Sequence, residues 1–142
     1  GISQISGGSR TSVGGYMKEE TPEENSAQFE TSDRRTADEV VRWLLENGYI
    51  PSFCTACYRE GRTGDRFMRL AKTGQIVNCC QPNALLTLKE YLNDYASPET
   101  RRVGEAVIQA ELEHIASDKV REKTREYLQT MEQDHSKCDF RF

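Results

Sequence analysis

The sequence predicts a mainly α-helical chain, and two observations support that prediction. Apolar residues recur with helical spacing along residues 36–133, whereas only one short alternating stretch, around Ile2 and Ile5, is typical of a strand. Residues that favour helix ends, such as Ser, Thr, Pro and Gly, flank most of these apolar stretches. A lone strand leaves its backbone groups unpaired, so residues 1–16 are expected to form no sheet within this chain.

Each predicted helix has its own start or stop signal. Thr36 and Glu39 form a capping box before the first helix, and Gly48 ends it. Pro82 is expected in the first turn of the longest helix, where a missing N–H costs little. The predicted helices cover about 36–47, 64–72, 82–95, 98–115 and 118–133. Their predicted inward faces comprise Val40, Val41, Leu44 and Leu45; Phe67, Met68 and Ala71; Leu85, Leu88 and Leu92, broadened by Leu86 and Tyr95; Val103, Val107, Ala110 and Ile115; and Val120, Tyr127, Leu128 and Met131.

Composition argues against several classes of partner. The 142 residues carry a formal net charge of −4, and their basic residues are scattered among acids. Nucleic-acid binding requires clustered Lys and Arg, and a membrane span requires ~18 consecutive apolar residues. The sequence therefore predicts a cytoplasmic protein that binds neither nucleic acid nor membrane. In the reducing cytoplasm, its five cysteines are interpreted as metal ligands or buried thiols before disulfides.

Three cysteines have the spacing of a metal site. Cys54 and Cys57 form a CxxC motif, and Cys80 follows after twenty-two intervening residues, directly behind Cys79. A two-residue spacer lets two thiolates face one metal from a loop. The third thiolate is expected at a helix start, whose free amides favour negative charge and lower a thiol pKa.

Spacing alone leaves several interpretations open. Buried thiols are one, although a CxxC in a polar loop is not typical of a core. Structural zinc, with His114 or His135 as the fourth ligand, is another, but no second CxxC or CxxH is present. The third is an iron–sulfur cluster with three protein thiolates and one open iron position. A redox-active CxxC is a further option, without the βαβ pattern that usually accompanies it.

The residues around these cysteines are more specific than the spacing. Residues 54–64 read CTACYREGRTG, residues 80–87 read CQPNALLT, and residues 89–92 read KEYL. This pattern closely resembles the C-terminal region of the radical-SAM tyrosine lyases that act as FeFe-hydrogenase maturases. Cys54, Cys57 and Cys80 match the family's three cysteines, and Cys79 is an extra neighbour. The opening residues 3–11, SQISGGSRT, resemble the family's last barrel strand and loop.

The resemblance implies a division of the chain. Residues 1–48 would be the end of a radical-SAM, TIM-type barrel, comprising its last strand, a loop and a helix. Residues 49–142 would be the helical accessory iron–sulfur domain. The family's CxxxCxxC radical-SAM motif does not occur in this sequence, so the chain resembles the final third of the enzyme. Alone, it is expected to be inactive. The related iminoacetate synthase of thiamine biosynthesis lacks the three-cysteine extension.

The resemblance also implies an activity. The parent enzyme would use a radical-SAM 4Fe–4S cluster and S-adenosylmethionine to cleave tyrosine into p-cresol and dehydroglycine. Dehydroglycine yields carbon monoxide and cyanide, which are collected on a labile iron at the accessory 4Fe–4S cluster held by Cys54, Cys57 and Cys80. Ser9, Arg10 and Ser6 would contact the substrate tyrosine. The partners would be other maturation factors and the apo-hydrogenase. The alternative is a structural zinc- or iron–sulfur-binding helical interaction module without catalysis of its own.

Overall fold

The computed structural model describes residues 35–142, and this part of the chain forms six α-helices and no strand. The prediction of a mainly α chain is therefore confirmed for this range. The predicted strand and loop of residues 1–16 lie outside the described residues. In chain order the helices are α1 (Ala37–Glu46), α2 (Ala56–Arg59), α3 (Gly64–Lys72), α4 (Val77–Asp94), α5 (Pro98–Leu112) and α6 (Asp118–Gln133).

Four of these helices surround one hydrophobic core. The central helix α4 packs against α5 and α6, and α1 packs against α5. Leu85, Leu88 and Leu92 of α4 are fully buried, as their helical spacing predicts. The other buried members of the core are Val41, Leu45, Leu86, Ile108, Leu112, Ile115, Leu128 and Met131. The short helices α2 and α3 make no comparable packing contact with another described helix.

Local capping explains most of the helix ends. The Thr36 hydroxyl accepts from the Glu39 amide at 3.2 Å, and the Glu39 carboxylate accepts from the Thr36 amide at 2.7 Å, which completes the predicted capping box. Ser97 and Ser117 accept from backbone amides at the starts of α5 and α6. These bonds satisfy donors that have no partner inside the helix.

The start of α4 was predicted incorrectly. The helix begins at Val77, five residues before the predicted start at residue 82. It therefore contains Pro82 in its interior. Proline removes only its own amide donor, so a turn that precedes it can remain helical when its other amides find acceptors. The amides of Cys79 and Cys80 bond to the Ile76 carbonyl oxygen at 3.1 and 2.7 Å. Both cysteines consequently lie in the first turns of α4.

Three predicted inward-facing residues are exposed. Ala110 faces solvent on α5, Met68 retains 48% of its accessible surface on α3, and Tyr95, directly after α4, retains 76%. On α5 the buried positions are instead Gly104 and its helical neighbours Ile108 and Leu112, because Gly104 permits a close approach of α4. A Cβ atom at position 104 would lie 2.5 Å from Leu92 Cδ1.

A partly buried polar contact joins α1 to α5. The Asp38 carboxylate accepts from the Ser97 amide at 3.1 Å, the Ser97 hydroxyl at 2.6 Å and the Thr100 hydroxyl at 2.8 Å. Burial alone would raise the pKa of Asp38, but these hydrogen bonds outweigh it and hold the pKa below its ordinary value. Because α1 also contributes Val41 and Leu45 to the common core, it is anchored to the C-terminal helices. The assignment of residues 1–48 to a barrel stays a prediction.

None of the helices in residues 35–142 is both long and apolar enough to cross a membrane.

Candidate metal centre

The cysteines of the predicted site lie on two segments that α3 connects. Cys54 precedes α2, Cys57 lies within it, and Cys80 lies near the start of α4. Ala56, between the first two, is buried to 2% exposure and anchors this loop. The Ala56 amide points to Cys54 Sγ at 3.5 Å. The loop therefore turns back on itself around the CxxC motif.

The two segments bring four thiols into one electrostatic neighbourhood. Although part of Cys80 reaches solvent, burial of its thiol raises its pKa, and Cys57, Cys54 and Cys79 raise it further. The prediction that helix-start amides lower this pKa is wrong. Cys80 lies deep enough in α4 that its own amide already bonds to the Ile76 carbonyl. Spacing thus predicted which cysteines are neighbours but not the direction in which the pKa of Cys80 shifts.

Three arginines surround the thiols. Hydrogen bonds with Asp139 raise the pKa of Arg59, and hydrogen bonds with Glu90 raise that of Arg141; in both cases the charge of Cys54 adds to the effect. The third arginine, Arg62, directs Nη1 toward Cys79 Sγ at 3.8 Å. Asp139 and Glu90 therefore partly neutralise the guanidinium charge near the thiols.

Two arginine donors at this site have no partner. Within residues 35–142, the buried side-chain nitrogens and oxygens that lack a hydrogen bond are Arg62 Nε and Arg141 Nε. A buried N–H without an acceptor costs about 1–3 kcal/mol, so such groups are rare in folded proteins. Both belong to arginines near the cysteines, because Arg62 directs Nη1 toward Cys79 and the charge of Cys54 contributes to the raised pKa of Arg141.

The thiols are close, but they are not arranged as a ready metal cage. In the described part of the chain, no three His, Cys, Asp or Glu side chains form a preorganised metal-binding group. Of the two candidate fourth ligands for zinc, His114 is exposed and contacts Glu111 at 3.3 Å. The other, His135, is exposed and lies near Glu132 and Asp134. Cys138 is an exposed free thiol.

A second charged group lies between α4, α5 and α6, at a cavity of about 390 Å³. Lys89 is buried there and donates to Glu105 at 2.6 Å and to Glu132. Burial alone would lower the pKa of Lys89, but these two carboxylates raise it above its ordinary value. Because Lys89 of α4 pairs with Glu105 of α5 and Glu132 of α6, we interpret it as a structural link between these three helices.

Some site residues were predicted and others were missed. Ser6, Ser9 and Arg10, predicted to contact substrate, lie outside the described residues. Glu90 contacts both Asp139 and Arg141, and Asn83 contacts Phe142, beside the cysteine-bearing segments; the sequence did not predict these contacts of Asn83, Glu90, Asp139 and Arg141. Each is an ordinary polar residue in a polar stretch, so no local pattern indicates its role.

Comparison with known proteins identifies the family. No family model and no curated protein matches the chain. One similar solved structure is described as the crystal structure of HydG, a maturase of the [FeFe]-hydrogenase. The match has 52% sequence identity and a TM-score of 0.84, and it covers 100% of this chain. This chain belongs to the HydG family. It spans 30% of the HydG chain, which is consistent with a C-terminal portion.

Proposed function

We propose that this chain is the C-terminal part of a radical-SAM tyrosine lyase of FeFe-hydrogenase maturation, in which Cys54, Cys57 and Cys80 hold an accessory iron–sulfur cluster. The observation that carries the proposal is the grouping of these thiols beside two buried arginine N–H donors that lack acceptors. Similarity to HydG over the whole chain supports the same conclusion.

The donor set fits a cluster better than it fits zinc. Cys54, Cys57 and Cys80, with no adjacent histidine, match an iron–sulfur centre that leaves one iron position open. Structural zinc requires four protein ligands and would have to use Cys79 as the fourth, although consecutive residues of a helix point about 100° apart. A thiolate-bound cluster is also an extended acceptor surface. The Nε groups of Arg62 and Arg141 would donate to it, as hydrogen bonds to cluster sulfurs commonly do.

The residues of this chain would bind and orient the cluster. Cys54 and Cys57 would bind from the loop, Cys80 would bind from α4, and the arginines would balance negative charge. When bound, the cluster would attach a labile iron at its open iron position. Carbon monoxide and cyanide would be collected on that labile iron as an iron–carbonyl–cyanide unit. The parent enzyme would obtain these ligands by cleaving tyrosine to p-cresol and dehydroglycine.

The remaining assignments belong to the whole enzyme. Ser9, Arg10 and Ser6 would contact the tyrosine, and the radical-SAM cluster and S-adenosylmethionine would bind to a CxxxCxxC motif that this sequence does not contain. The chain alone would therefore not cleave tyrosine. The parent enzyme would act in the cytoplasm with other maturation factors and with the apo-hydrogenase.

Anaerobic reconstitution of this chain with iron and sulfide tests the cluster assignment. We expect the brown colour and broad visible absorbance of thiolate-bound iron in the unmodified chain. Cys57→Ser should lose most of this absorbance, because serine is a harder and poorer iron ligand. Cys138→Ser is the matched control, since Cys138 is an exposed free thiol, and it should retain the absorbance. A colourless protein with stoichiometric zinc would support the structural alternative instead.

The full-length enzyme separates the accessory site from tyrosine cleavage. Cys54→Ser and Cys57→Ser should still release p-cresol, measured by chromatography, but should lose the infrared bands of iron-bound carbonyl and cyanide. Cys79→Ser should be tolerated better than Cys80→Ser. Equal defects in these two variants would mean that the third ligand has been assigned to the wrong cysteine.

A further inference from the structure

Residues 139–142, here named the strap, contact the loop that carries Cys54 and Cys57. Asp139 forms a two-point ion pair with Arg59, at 2.8 and 3.0 Å. The Phe142 carbonyl oxygen accepts from Arg62 Nη2 at 2.9 Å. Arg59 lies two residues after Cys57, so the first contact acts directly on the end of the CxxC turn.

The strap also contacts the helix that carries Cys80. Asn83 accepts from the Phe142 amide at 2.9 Å and donates to the Phe142 carbonyl oxygen at 3.3 Å. Glu90 accepts from the Asp139 amide at 2.7 Å and from both terminal nitrogens of Arg141 at 2.9 and 2.8 Å. Asn83 is only 2% exposed and lies about one helical turn after Cys80, so this contact is close to the third ligand.

Aromatic contacts hold the strap on the helical body. Phe140 stacks on Tyr127 of α6 with ring centroids 4.4 Å apart, and Phe142 meets the same ring edge-on at 5.8 Å. Both phenylalanines also pack against the hydrophobic core. The strap therefore has a fixed base from which its polar groups reach the two cysteine-bearing segments.

One described contact joins these two segments without the strap: Phe53, next to Cys54, stacks on Tyr91 of α4 with ring centroids 5.3 Å apart. The helix that connects them, α3, has no buried residue. Arg62 contributes a long contact to Cys79, but it is itself oriented by Phe142. The polar contacts that set the position of the CxxC loop relative to α4 thus come largely from groups that the strap bonds on both sides.

We propose that the strap is a positioning element that sets the separation between Cys54 and Cys57 on one side and Cys80 on the other. The inference rests on the proposed function, because it concerns the geometry of the same three thiols. Outer partners that orient metal ligands typically change metal affinity about 10–100-fold when they are removed. Asn83 and Asp139 would act through the ligands, without touching the bound group.

Cobalt(II) titration of the full chain under anaerobic conditions measures this effect without any enzymatic activity. Cobalt bound by thiolates gives charge-transfer absorbance whose intensity reports the number of sulfur ligands. Asn83→Ala and Asp139→Asn should each weaken cobalt binding about tenfold and lower the thiolate absorbance at saturation. Asp139→Asn is included because its exposed position makes misfolding less of a concern than at buried Asn83.

The matched control is Thr87→Ala, because Thr87, like Asn83, is buried on α4. The Thr87 hydroxyl bonds to the carbonyl oxygens of Asn83 and Ala84 and does not reach the strap. This variant should lower the thermal midpoint while leaving cobalt affinity and absorbance unchanged. If the strap variants lower the midpoint in the same way and bind cobalt like the unmodified chain, the strap is purely structural and the inference is overturned.

Cobalt binding by the unmodified chain separates failure of the proposed three-cysteine site from failure of the strap inference. Absence of thiolate-to-cobalt absorbance in the unmodified chain would overturn the proposed three-cysteine site, and the inference with it. Normal absorbance in the unmodified chain together with equal affinity in Asn83→Ala and Asp139→Asn would overturn the inference alone.

Discussion

The helical body and the cysteine-bearing periphery are stabilised by different interactions. The body, formed by α1, α4, α5 and α6, buries a continuous cluster of aliphatic side chains. The periphery, formed by α2 and α3 with the loops around them, has Ala56 as its one buried apolar residue in this part of the structure. It is held mainly by arginine, carboxylate and backbone groups. Apolar burial provides stability without direction, whereas hydrogen bonds fix orientation for a small net gain.

The largest effect is expected from removing core volume. Leu88 is fully buried on α4, so Leu88→Ala should lower the free energy of unfolding by about 2–5 kcal/mol through lost burial and a residual cavity. Denaturant unfolding measures this loss. Cobalt affinity at low temperature should stay unchanged, because the cysteines are held by other contacts. A loss of cobalt binding in the folded variant would contradict the separation between body and periphery.

An intermediate effect is expected at the polar contact between α1 and α5. Asp38→Ala should cost about 1–3 kcal/mol, because it leaves the donors of Ser97 and Thr100 without their acceptor. Folding lowers the pKa of Asp38 below its ordinary value of 3.8. The carboxylate therefore contributes its full stabilisation above pH 3.8 and loses it as pH falls through the lower folded-state pKa.

Unfolding measurements across pH check this sign. The difference in stability between the unmodified chain and Asp38→Ala should be largest near neutral pH and should narrow below pH 3.8. A difference that widened in acid would mean that the charged carboxylate does not stabilise the folded state.

The smallest effect is expected on the periphery. Met68 on α3 is 48% exposed, so Met68→Ser should change the free energy of unfolding by no more than about 0.5 kcal/mol. The same denaturant series that includes Leu88→Ala provides the comparison. A cost above about 1.5 kcal/mol would show that α3 is packed as the body is, and it would remove the distinction between the two regions.

Local signals in the sequence predicted much of the helical body. Thr36, Ser97 and Ser117 each cap a helix where their side chains can reach a free amide, and that interaction spans only three residues. The apolar spacing on α4 likewise identified its buried stripe. These features depend on residues close in sequence, which is why sequence reasoning can reach them.

Packing between helices explains the errors on α5 and α3, whereas the error at Pro82 is local. Gly104 has no side chain to signal burial, yet it is buried because Leu92 of another helix lies against it. Met68 has the correct spacing for an inward face, but no neighbouring helix covers α3. A proline such as Pro82 usually indicates a helix start. Here the turn before it is also helical, because the amides of Cys79 and Cys80 bond to the Ile76 carbonyl oxygen.

Part of the candidate site could likewise be predicted from the sequence, and part could not. The CxxC spacing and the third cysteine could be identified from the sequence, and their mutual proximity agrees with that interpretation. Their roles as ligands stay a prediction. The strap could not be identified, because its contacts join polar residues 49 to 80 positions apart in the chain. Such pairings depend on the complete fold and leave no periodic pattern.

The long sequence separation of the strap contacts affects the order of folding. Contacts between distant residues require closure of a long loop, so they form later than helices and their near neighbours. On the ribosome, residues 54–80 emerge before residues 139–142, and the loop with Cys54 and Cys57 acquires its final partners only after synthesis has passed Phe142. We therefore expect hydrogen-exchange protection of residues 52–62 to appear after that of α4 and α5 during refolding. Metal delivered before that moment would meet thiols that are still free to move apart.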